Sequence, residues 1–162
     1  MMKILILPMS IMTFLLSGCS SNIFYPIYDL NTFFRRYSFD YKDPILAREF
    51  LITLVDYNGS LRIELFNLKL KKIVSLPGVN IKNAVPISVS ISANGNRIAF
   101  IRKENQDNKL FILDRKKGSL RRLNVGSESI PVKVSISGSG KILAVQIFRN
   151  NQFDMEIIRI DI

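Results

Sequence analysis

Histidine and tryptophan are absent from this chain of 162 residues, and cysteine occurs once, at position 19. Without histidine the chain has no serine–histidine–aspartate triad and no histidine-ligated metal. We therefore expect no catalytic residues, no metal site and no cofactor. Acidic residues are the minority, with 13 against 23 lysines and arginines, and the formal net charge is +10.

The N-terminus has the composition of an export signal. Lys3 supplies a positive charge, and the apolar run over residues 4–16 is too short for a lasting transmembrane helix. The sequence Leu16-Ser17-Gly18-Cys19 resembles the lipobox of bacterial lipoproteins. The resemblance implies a signal peptide over residues 1–18, cleavage before Cys19, and a lipid on Cys19 that anchors the protein to the cell envelope, facing the periplasm. A signal anchor with a buried thiol is the alternative.

Export restricts the partners of the positive charge. Nucleic acid is not an expected target outside the cytoplasm, which leaves anionic lipid, a cell-wall polymer or an acidic protein. Solubility and the protection of strand edges explain the same charge without any partner.

An aromatic-rich tether over residues 19–33 follows the signal. Flexible linkers are usually rich in glycine and serine, whereas this segment contains Phe24, Tyr25 and Tyr28. These rings are candidates for contact with the membrane or a partner, because aromatic side chains suit the membrane interface. The alternative is that the rings pack on the folded domain, since burial of a large apolar area is favourable.

Three similar repeats follow, and they open at Pro44, Pro86 and Pro131. The middle repeat has about forty residues with four short strands, which is the size of one propeller blade. Its strands are predicted over residues 87–92, 97–101, 110–114 and 120–123. The first repeat has a shortened first strand, and its strands are predicted over residues 45–47, 50–55, 62–68 and 72–76. The third repeat lacks a fourth strand, and its strands are predicted over residues 132–137, 142–148 and 153–160.

A loose strand before the first repeat fits the gap in the third. Phe34-Arg35-Arg36-Tyr37-Ser38 aligns with Leu120-Arg121-Arg122-Leu123-Asn124, the fourth strand of the middle repeat. We therefore expect residues 34–39 to complete the last blade of an all-β domain over residues 34–162. About three blades of four antiparallel strands form an open arc or a small distorted ring, and a six-blade dimer is the next alternative.

The repeats carry a shared motif. The middle repeat contains Pro86, Ser92, Gly95 and Ile98-Ala99-Phe100, followed by Leu110-Phe111-Ile112-Leu113-Asp114, and the third contains Pro131, Ser137, Gly140 and Leu143-Ala144-Val145. This pattern resembles the blades of the TolB-like β-propeller family over about residues 34–161. The resemblance implies TolB/WD40-like propeller repeats, with binding roles and no shared chemistry.

The first strand of the middle repeat alternates strictly. Ile87, Val89 and Ile91 are predicted to give bulk to one face. The three serines between and after them are predicted to allow close approach on the other face, and their hydroxyl groups can form hydrogen bonds locally.

Basic residues collect on the third and fourth strands of the repeats, the expected outer edge of each blade. Arg115 shares this predicted location, and the candidates for membrane or partner contact are Arg35, Arg36, Lys116, Lys117, Arg121 and Arg122. Cationic side chains at an edge discourage pairing with other sheets. The functional alternative is a basic rim close to anionic headgroups, where each charge contributes about 1 kcal/mol.

Two acidic patterns carry little weight. Asp56-Tyr57-Asn58-Gly59 is better explained by a hairpin than by a calcium loop, because Asn-Gly suits a type I′ turn. Asp154 and Glu156 share one face of a strand, as glycosidase carboxylates could, but no sugar cleft is evident.

The sequence thus predicts a lipid-anchored envelope protein, not an enzyme, that uses its blades to bind a protein or polymer. A self-associating structural lipoprotein that forms a six-blade dimer is the alternative, and an envelope hydrolase ranks third.

Overall fold

The computed structural model describes residues 30–33 and 39–161, which are all-β apart from one short helix, α1 (Leu30–Phe33). Three antiparallel sheets follow one another along the chain, and we name them blades 1, 2 and 3. Blade 1 has the spatial order β1 (Asp40–Ala47), β2 (Phe50–Tyr57), β3 (Ser60–Asn67), β4 (Lys72–Val74). Blade 2 has the order β5 (Ala84–Ile91), β6 (Arg97–Glu104), β7 (Asp107–Asp114), β8 (Ser119–Leu123). Blade 3 has the order β9 (Ile130–Ile136), β10 (Ile142–Arg149), β11 (Gln152–Arg159).

The predicted all-β fold class is confirmed, and so are the strands predicted for the three repeats, apart from the first strand of repeat one. The export signal, residues 19–29 of the tether and residues 34–38 of the loose strand lie outside the described residues, whereas the end of the tether forms α1 and Phe39 is described. Its ring lies 4.5 Å from the ring of Tyr57. No helix in the described ranges is long and apolar enough to cross a membrane.

The first strand of blade 1 differs from its prediction. β1 begins at Asp40 and has eight residues, so the prediction of a shortened strand that opens at Pro44 is wrong. The pairing of β1 with β2 shifts register between Lys42 and Ile45, which places Pro44 in a bulge. A bulge accommodates proline because the bulged residues leave the regular ladder, where the missing N–H would be needed.

A second bulge corrects the face of Ile87. The pairing of β5 with β6 shifts register between Pro86 and Ser88, so Ile87 is the extra residue. Ile87 packs against the core shared with blade 3, whereas Val89 and Ile91 belong to the core shared with blade 1. The prediction that all three apolar side chains share one face is therefore wrong for Ile87, because strict alternation does not survive a bulge.

Two separate apolar cores lie between the blades. The core between blades 1 and 2 is built around Ile52, Leu54, Ile63, Leu65, Ile98, Phe100, Phe111 and Leu113. The core between blades 2 and 3 is built around Ile101, Leu110, Ile112, Val134, Leu143, Val145 and Ile147. Neither core combines residues of blades 1 and 3. Blade 2 is thus the shared partner, and the described blades form an open arc.

Serine side chains join blade 2 to blade 3. The backbone N–H of Val134 donates to Ser88 Oγ and that of Ile136 to Ser90 Oγ, each at 3.1 Å. Both amides belong to β9, which has a strand partner on one side only among the described residues. The serines therefore allow close approach, as predicted, and also satisfy buried donors that the sheet leaves unpaired.

Candidate interaction surface

The outer face of blade 3, which is turned away from blade 2, carries an exposed apolar stripe on β11. Phe153, Met155 and Ile157 are 63%, 61% and 67% exposed, and we call these three residues the blade 3 stripe. The ring of Phe148 on β10 lies 5.2 Å from that of Phe153 and extends the apolar surface. Contiguous exposed apolar side chains are typical of interaction surfaces, so the blade 3 stripe is a candidate for one.

The opposite flank of the arc is different. On the face of blade 1 that is turned away from blade 2, Thr53, Val55 and Phe66 are fully buried, each with 0% exposure. The Tyr41 ring meets the Phe66 ring edge-on at 6.3 Å. Thr53 Oγ1 donates to the carbonyl oxygen of Lys42 at 2.7 Å. The exposed large apolar side chains on this face, Leu46 and Ile73, lie on separate strands, so the continuous apolar stripe of the two flanks is that of blade 3.

The same strand is also an unprotected edge. β4 and β8, the outermost strands of blades 1 and 2, have three and five residues. They carry exposed Lys72, Arg121 and Arg122. β11 is outermost among the described strands of blade 3 and has eight residues, of which only the last, Arg159, is cationic. Short, cationic edges resist further pairing, whereas a long apolar edge invites it.

The face of β11 opposite the stripe is acidic. Arg149 Nη2 lies 3.1 Å from Asp154 Oδ2, and Arg149 Nη1 lies 3.8 Å from Glu156 Oε1. The backbone N–H of Gly126 donates to Glu156 Oε2 at 3.2 Å. The predicted common face of the two carboxylates is confirmed. One arginine holds both carboxylates, so the group of three keeps one net negative charge.

The basic rim residues are exposed but do not form one patch. Lys116 and Lys117 lie together in the turn between β7 and β8. Arg121 pairs opposite Ile112 and Arg122 opposite Phe111. Consecutive strand residues point to opposite faces. The structure therefore brings the two lysines together and separates the two arginines. Arg35, Arg36, Phe24, Tyr25, Tyr28 and Cys19 lie outside the described residues.

Arg115 does not belong to this rim, and its predicted location there is wrong. Its guanidinium lies 5.0 Å above the Phe50 ring of blade 1. Nη1 donates to the carbonyl oxygen of Gly95. Burial lowers the pKa of the Arg115 side chain. The side chain turns back between blades 1 and 2 because it contacts the face of the Phe50 ring and donates a hydrogen bond to the Gly95 carbonyl oxygen there.

Arg102 occupies a cleft of about 490 Å³ between blades 1 and 2. Its Nη1 donates to the carbonyl oxygens of Gly78 and Val79 at 2.6 and 2.9 Å. Its guanidinium lies 4.3 Å from the Phe111 ring centroid. These contacts hold the segment that links the two blades. Arg102 is thus a structural residue, although the cleft opens beside it.

Glu104 neutralises this arginine. Its carboxylate accepts hydrogen bonds from Arg102 Nε at 2.5 Å and from Lys109 Nζ at 3.0 Å. Burial pushes the pKa of Glu104 upward, but these hydrogen bonds and the nearby positive charges outweigh burial and hold the pKa below its usual value.

The remaining acidic patterns have structural explanations. Asn58 and Gly59 have φ values of 53° and 85°, so the predicted hairpin is confirmed. The Gly59 N–H donates to Asp56 Oδ1 at 2.7 Å. Within the described part of the chain, no group of three or more acidic or cysteine residues could hold a metal ion.

The blade 3 stripe is the feature that sequence reasoning missed. The alternation Phe153-Asp154-Met155-Glu156-Ile157 predicts two distinct faces on a strand. An apolar face is normally assigned to the core, and only the placement of blade 2 on the other side reveals that this one is exposed.

Comparison with solved structures identifies the fold. TolB from Acinetobacter baumannii matches with a TM-score of 0.56 and 15% identity, over 72% of this chain and 29% of that one. The likeness is to a propeller. The described chain is a partial TolB-like β-propeller. A putative TolB from Agrobacterium tumefaciens matches with a TM-score of 0.51 and 18% identity, over 68% of this chain and 39% of that one.

Open propellers also occur among the similar structures. The β-propeller domain of the Trilobed protease from Pyrococcus furiosus, described as having an open velcro topology, matches with a TM-score of 0.50 and 16% identity, over 74% of this chain and 43% of that one. The present chain thus spans less than half the length of each of these three structures. No family model and no curated protein matches the sequence.

Proposed function

We propose that this chain is a lipid-anchored, non-catalytic scaffold protein of the bacterial envelope that binds a protein or polymer partner through the outer face of blade 3. The blade 3 stripe is the observation that carries the proposal. Its three apolar side chains are more than half exposed, whereas the apolar side chains of the cores between the blades are buried. Exposing such a stripe to water is unfavourable, and a partner that covers it removes that cost.

The anchor and the location rest on other observations. The sequence Leu16-Ser17-Gly18-Cys19 supports lipidation of Cys19. The likeness to TolB propellers supports an envelope location facing the periplasm. Exposed Lys116 and Lys117 would add attraction to anionic headgroups once the lipid holds the domain at the surface.

A non-catalytic role is supported by how the acidic side chains are used. Asp154 and Glu156, the pair that a hydrolase could use, are both held by Arg149. Several similar structures are peptidases, such as dipeptidyl peptidase 4 from Porphyromonas gingivalis, of which this chain covers 24%. Such a likeness at 12% identity concerns the fold alone.

Self-association into a six-blade ring remains the alternative. Such a ring needs blade 3 of one copy to pack on the outer face of blade 1 of the other. Thr53, Val55 and Phe66 on that face are already buried, so the centre of that face offers no exposed apolar surface for the packing. A monomeric mass at high protein concentration would eliminate it.

Site-specific photo-cross-linking in intact cells tests the proposal. A photoreactive residue at Met155 or Ile157 is expected to give a discrete adduct with one partner, and the same residue at Ile81, exposed between blades 1 and 2, is the matched control. Cys19→Ser is expected to release the protein from the membrane fraction. Absence of any adduct specific to the two β11 positions would refute the binding role of blade 3.

A further inference from the structure

We propose that one end of the arc docks on an anionic membrane surface through its basic turns, with Leu70 at the bilayer interface. We call this part of the arc the basic end, and its exposed cations are Arg48, Lys69, Lys71, Lys116, Lys117 and Lys141. This docking surface is separate from the blade 3 stripe. It rests on the proposed function only through the lipid that would hold the domain beside a membrane.

The arc has two ends because the antiparallel strands of each blade turn back on themselves. The turns before β2, β6 and β10 are neighbours at one end, since the Phe50 ring packs against Gly95 and the Ala93 N–H donates to the carbonyl oxygen of Gly138 at 3.0 Å. An antiparallel sheet returns to the same end after every second strand. The turns before β4 and β8 therefore lie at this end as well.

The charged residues of these five turns are almost all cationic. The turns cover residues 48–49, 68–71, 92–96, 115–118 and 137–141. They contain seven lysines and arginines, one of them the inward Arg115, but only one acidic residue, the half-buried Glu49. At the opposite end the turns are Asn58-Gly59, Asn105-Gln106 and Asn150-Asn151, which carry no charge. Solubility alone does not require the two ends to differ in this way.

Two blades contribute to one cationic surface. Lys116 and Lys117 of blade 2 and Lys141 of blade 3 line the same cavity of about 200 Å³. Asp114 also lines this cavity, but it is buried, and its carboxylate lies 3.9 Å from Arg97 Nε and accepts a hydrogen bond from the Lys117 N–H. Within the described part of the chain the three lysines form no ion pair, so they remain available to anionic groups from outside.

An exposed leucine lies among these cations. Leu70 is 58% exposed, and its neighbours Lys69 and Lys71 are exposed too. The Leu70 N–H donates to Oδ1 of the buried Asn67 at 2.8 Å, which fixes the turn. An apolar side chain beside lysines suits the boundary between headgroups and acyl chains, because the leucine leaves water while the ammonium groups stay at the headgroups. A soluble anionic polymer would use the lysines but not the leucine, so a membrane fits this end better.

Neither the rest of this chain nor a second copy complements the basic end. Residues 19–29 and 34–38 contain one acidic residue, Asp29, and two arginines, Arg35 and Arg36. A second copy has the same formal net charge of +10 and is repelled as a whole. The anionic occupant must therefore come from outside the chain.

The proposed lipid anchor allows this orientation. The chain enters β1 at the opposite end, because Asp40 pairs with Asp56 near the end of β2. An eight-residue strand is about 27 Å long, and the residues from Cys19 to Phe39 can span more than this length even with α1 in the path. Docking by the basic end leaves the blade 3 stripe, which follows β11, at the side of the domain. A partner could thus bind the stripe while the domain stays docked.

Quenching of a fluorescent label by spin-labelled lipid tests the docking, with the full lipidated chain added to vesicles. The single natural cysteine carries the lipid, so Leu70→Cys supplies one thiol for an NBD label. Quenching on vesicles of phosphatidylcholine with phosphatidylglycerol is expected to be about twofold or more stronger than on phosphatidylcholine alone. Ser60→Cys, at the exposed start of the same strand β3, is the matched control and should show no quenching on either.

Charge variants separate the basic end from the net charge of the chain. Lys69→Gln with Lys116→Gln should reduce the quenching of the label on residue 70 on anionic vesicles by about half or more. Lys82→Gln with Lys103→Gln removes the same two charges from exposed positions at the opposite end and should leave the quenching unchanged. About 1 M salt should remove the difference between the two kinds of vesicle, because it shortens the Debye length to about 3 Å. Equal effects of the two double variants would overturn the proposed docking in favour of non-specific attraction.

The label also reports other occupants. Blue-shifted emission without quenching on phosphatidylcholine vesicles would assign Leu70 to the chain's own tether or to a second copy. Absence of quenching on anionic vesicles would leave the basic end to a soluble anionic partner. Either result overturns membrane docking, and a specific cross-link at Met155 would still leave the proposed function standing. Quenching without that cross-link would instead keep the docking and refute the binding role of blade 3.

Discussion

We call the contact between blades 1 and 2 the first seam and the contact between blades 2 and 3 the second seam. Equivalent positions in the two seams carry different kinds of side chain. Phe50 begins β2 and Arg97 begins β6, so the two residues are equivalent in blades 1 and 2. Each packs against the turn glycine of the next blade, Phe50 against Gly95 and Arg97 against Gly140. Arg97 Nη1 also donates to the carbonyl oxygen of Gly140 at 2.8 Å. The first seam is therefore apolar at this point, and the second is hydrogen-bonded.

The difference extends along both seams. The first contains stacked Phe100 and Phe111, whose ring centroids lie 5.4 Å apart. The second has no phenylalanine in its core and relies on Ser88 and Ser90 to bind backbone N–H groups of β9. Apolar packing is sensitive to volume, whereas a hydrogen-bonded seam is sensitive to the loss of one polar atom. Each seam should thus fail under a different substitution.

The largest expected effect is that of Gly95→Ala. Gly95 has a φ of 70°, and an added Cβ would lie 2.6 Å from Phe50 Cε2. Left-handed backbone costs an L-residue about 1–2 kcal/mol, and overpacking a filled site costs about 1–3 kcal/mol. We expect a loss of about 2–5 kcal/mol in the free energy of unfolding, measured by urea denaturation.

Gly140→Ala is the matched comparison. Gly140 has a φ of 74°, and the closest atom to its added Cβ would be Arg97 Cδ at 2.9 Å. The Arg97 side chain can move aside more readily than an aromatic ring, although its hydrogen bond to Gly140 must adjust and Ser92 Cβ lies 3.3 Å from the added Cβ. The expected loss is therefore the backbone cost of about 1–2 kcal/mol plus a smaller packing cost than at Gly95. Equal losses for the two alanine variants would show that the aromatic ring does not make the first seam more rigid than the second.

These glycines also show what sequence reasoning could reach. The turn residues, the strand order and the repeat length follow from local patterns, because turn chemistry and alternation are local. The contact of Gly95 with a residue of the neighbouring blade depends on tertiary packing and cannot be predicted from local sequence. The bulge at Ile87 and the inward turn of Arg115 were missed for the same reason. An exposed stripe on β11 could not be told from a core face until the position of blade 2 was known.

An intermediate effect is expected for Ser90→Ala. The substitution leaves the N–H of Ile136 buried without its acceptor, which costs about 1–3 kcal/mol. The apolar first seam has no equivalent dependence on a hydroxyl group. Chemical denaturation should show the loss, and hydrogen exchange should show it as faster exchange of the Ile136 amide.

Ser135→Ala is the control for this prediction. Ser135 is on the same blade interface strand, β9, but its side chain is exposed. Surface substitutions away from special contacts usually change stability by less than about 0.5 kcal/mol. If Ser90→Ala were as neutral as Ser135→Ala, the hydroxyl groups would not be what holds the second seam.

The smallest expected effect is a pH dependence of the first seam, through Glu104. The folded-state pKa of Glu104 lies below its usual value, so its ionised form stabilises the fold above the unfolded-state pKa. That contribution is lost as the pH falls through the folded-state pKa. We therefore expect the difference in unfolding free energy between the wild type and Glu104→Gln to narrow between about pH 6 and about pH 3.

The reason for the narrowing is specific to the first seam. Ionised Glu104 orients Arg102, and Arg102 holds the carbonyl oxygens of Gly78 and Val79 where the chain passes from blade 1 to blade 2. Protonation weakens the charge-assisted hydrogen bonds, so the wild type approaches the glutamine variant at low pH. Glu128→Gln, at an exposed position between blades 2 and 3, is the control. Its difference in unfolding free energy from the wild type should not change over the same pH range. If the difference in unfolding free energy between the wild type and Glu104→Gln stayed constant over this pH range, Arg102 would hold the linking segment without help from the carboxylate.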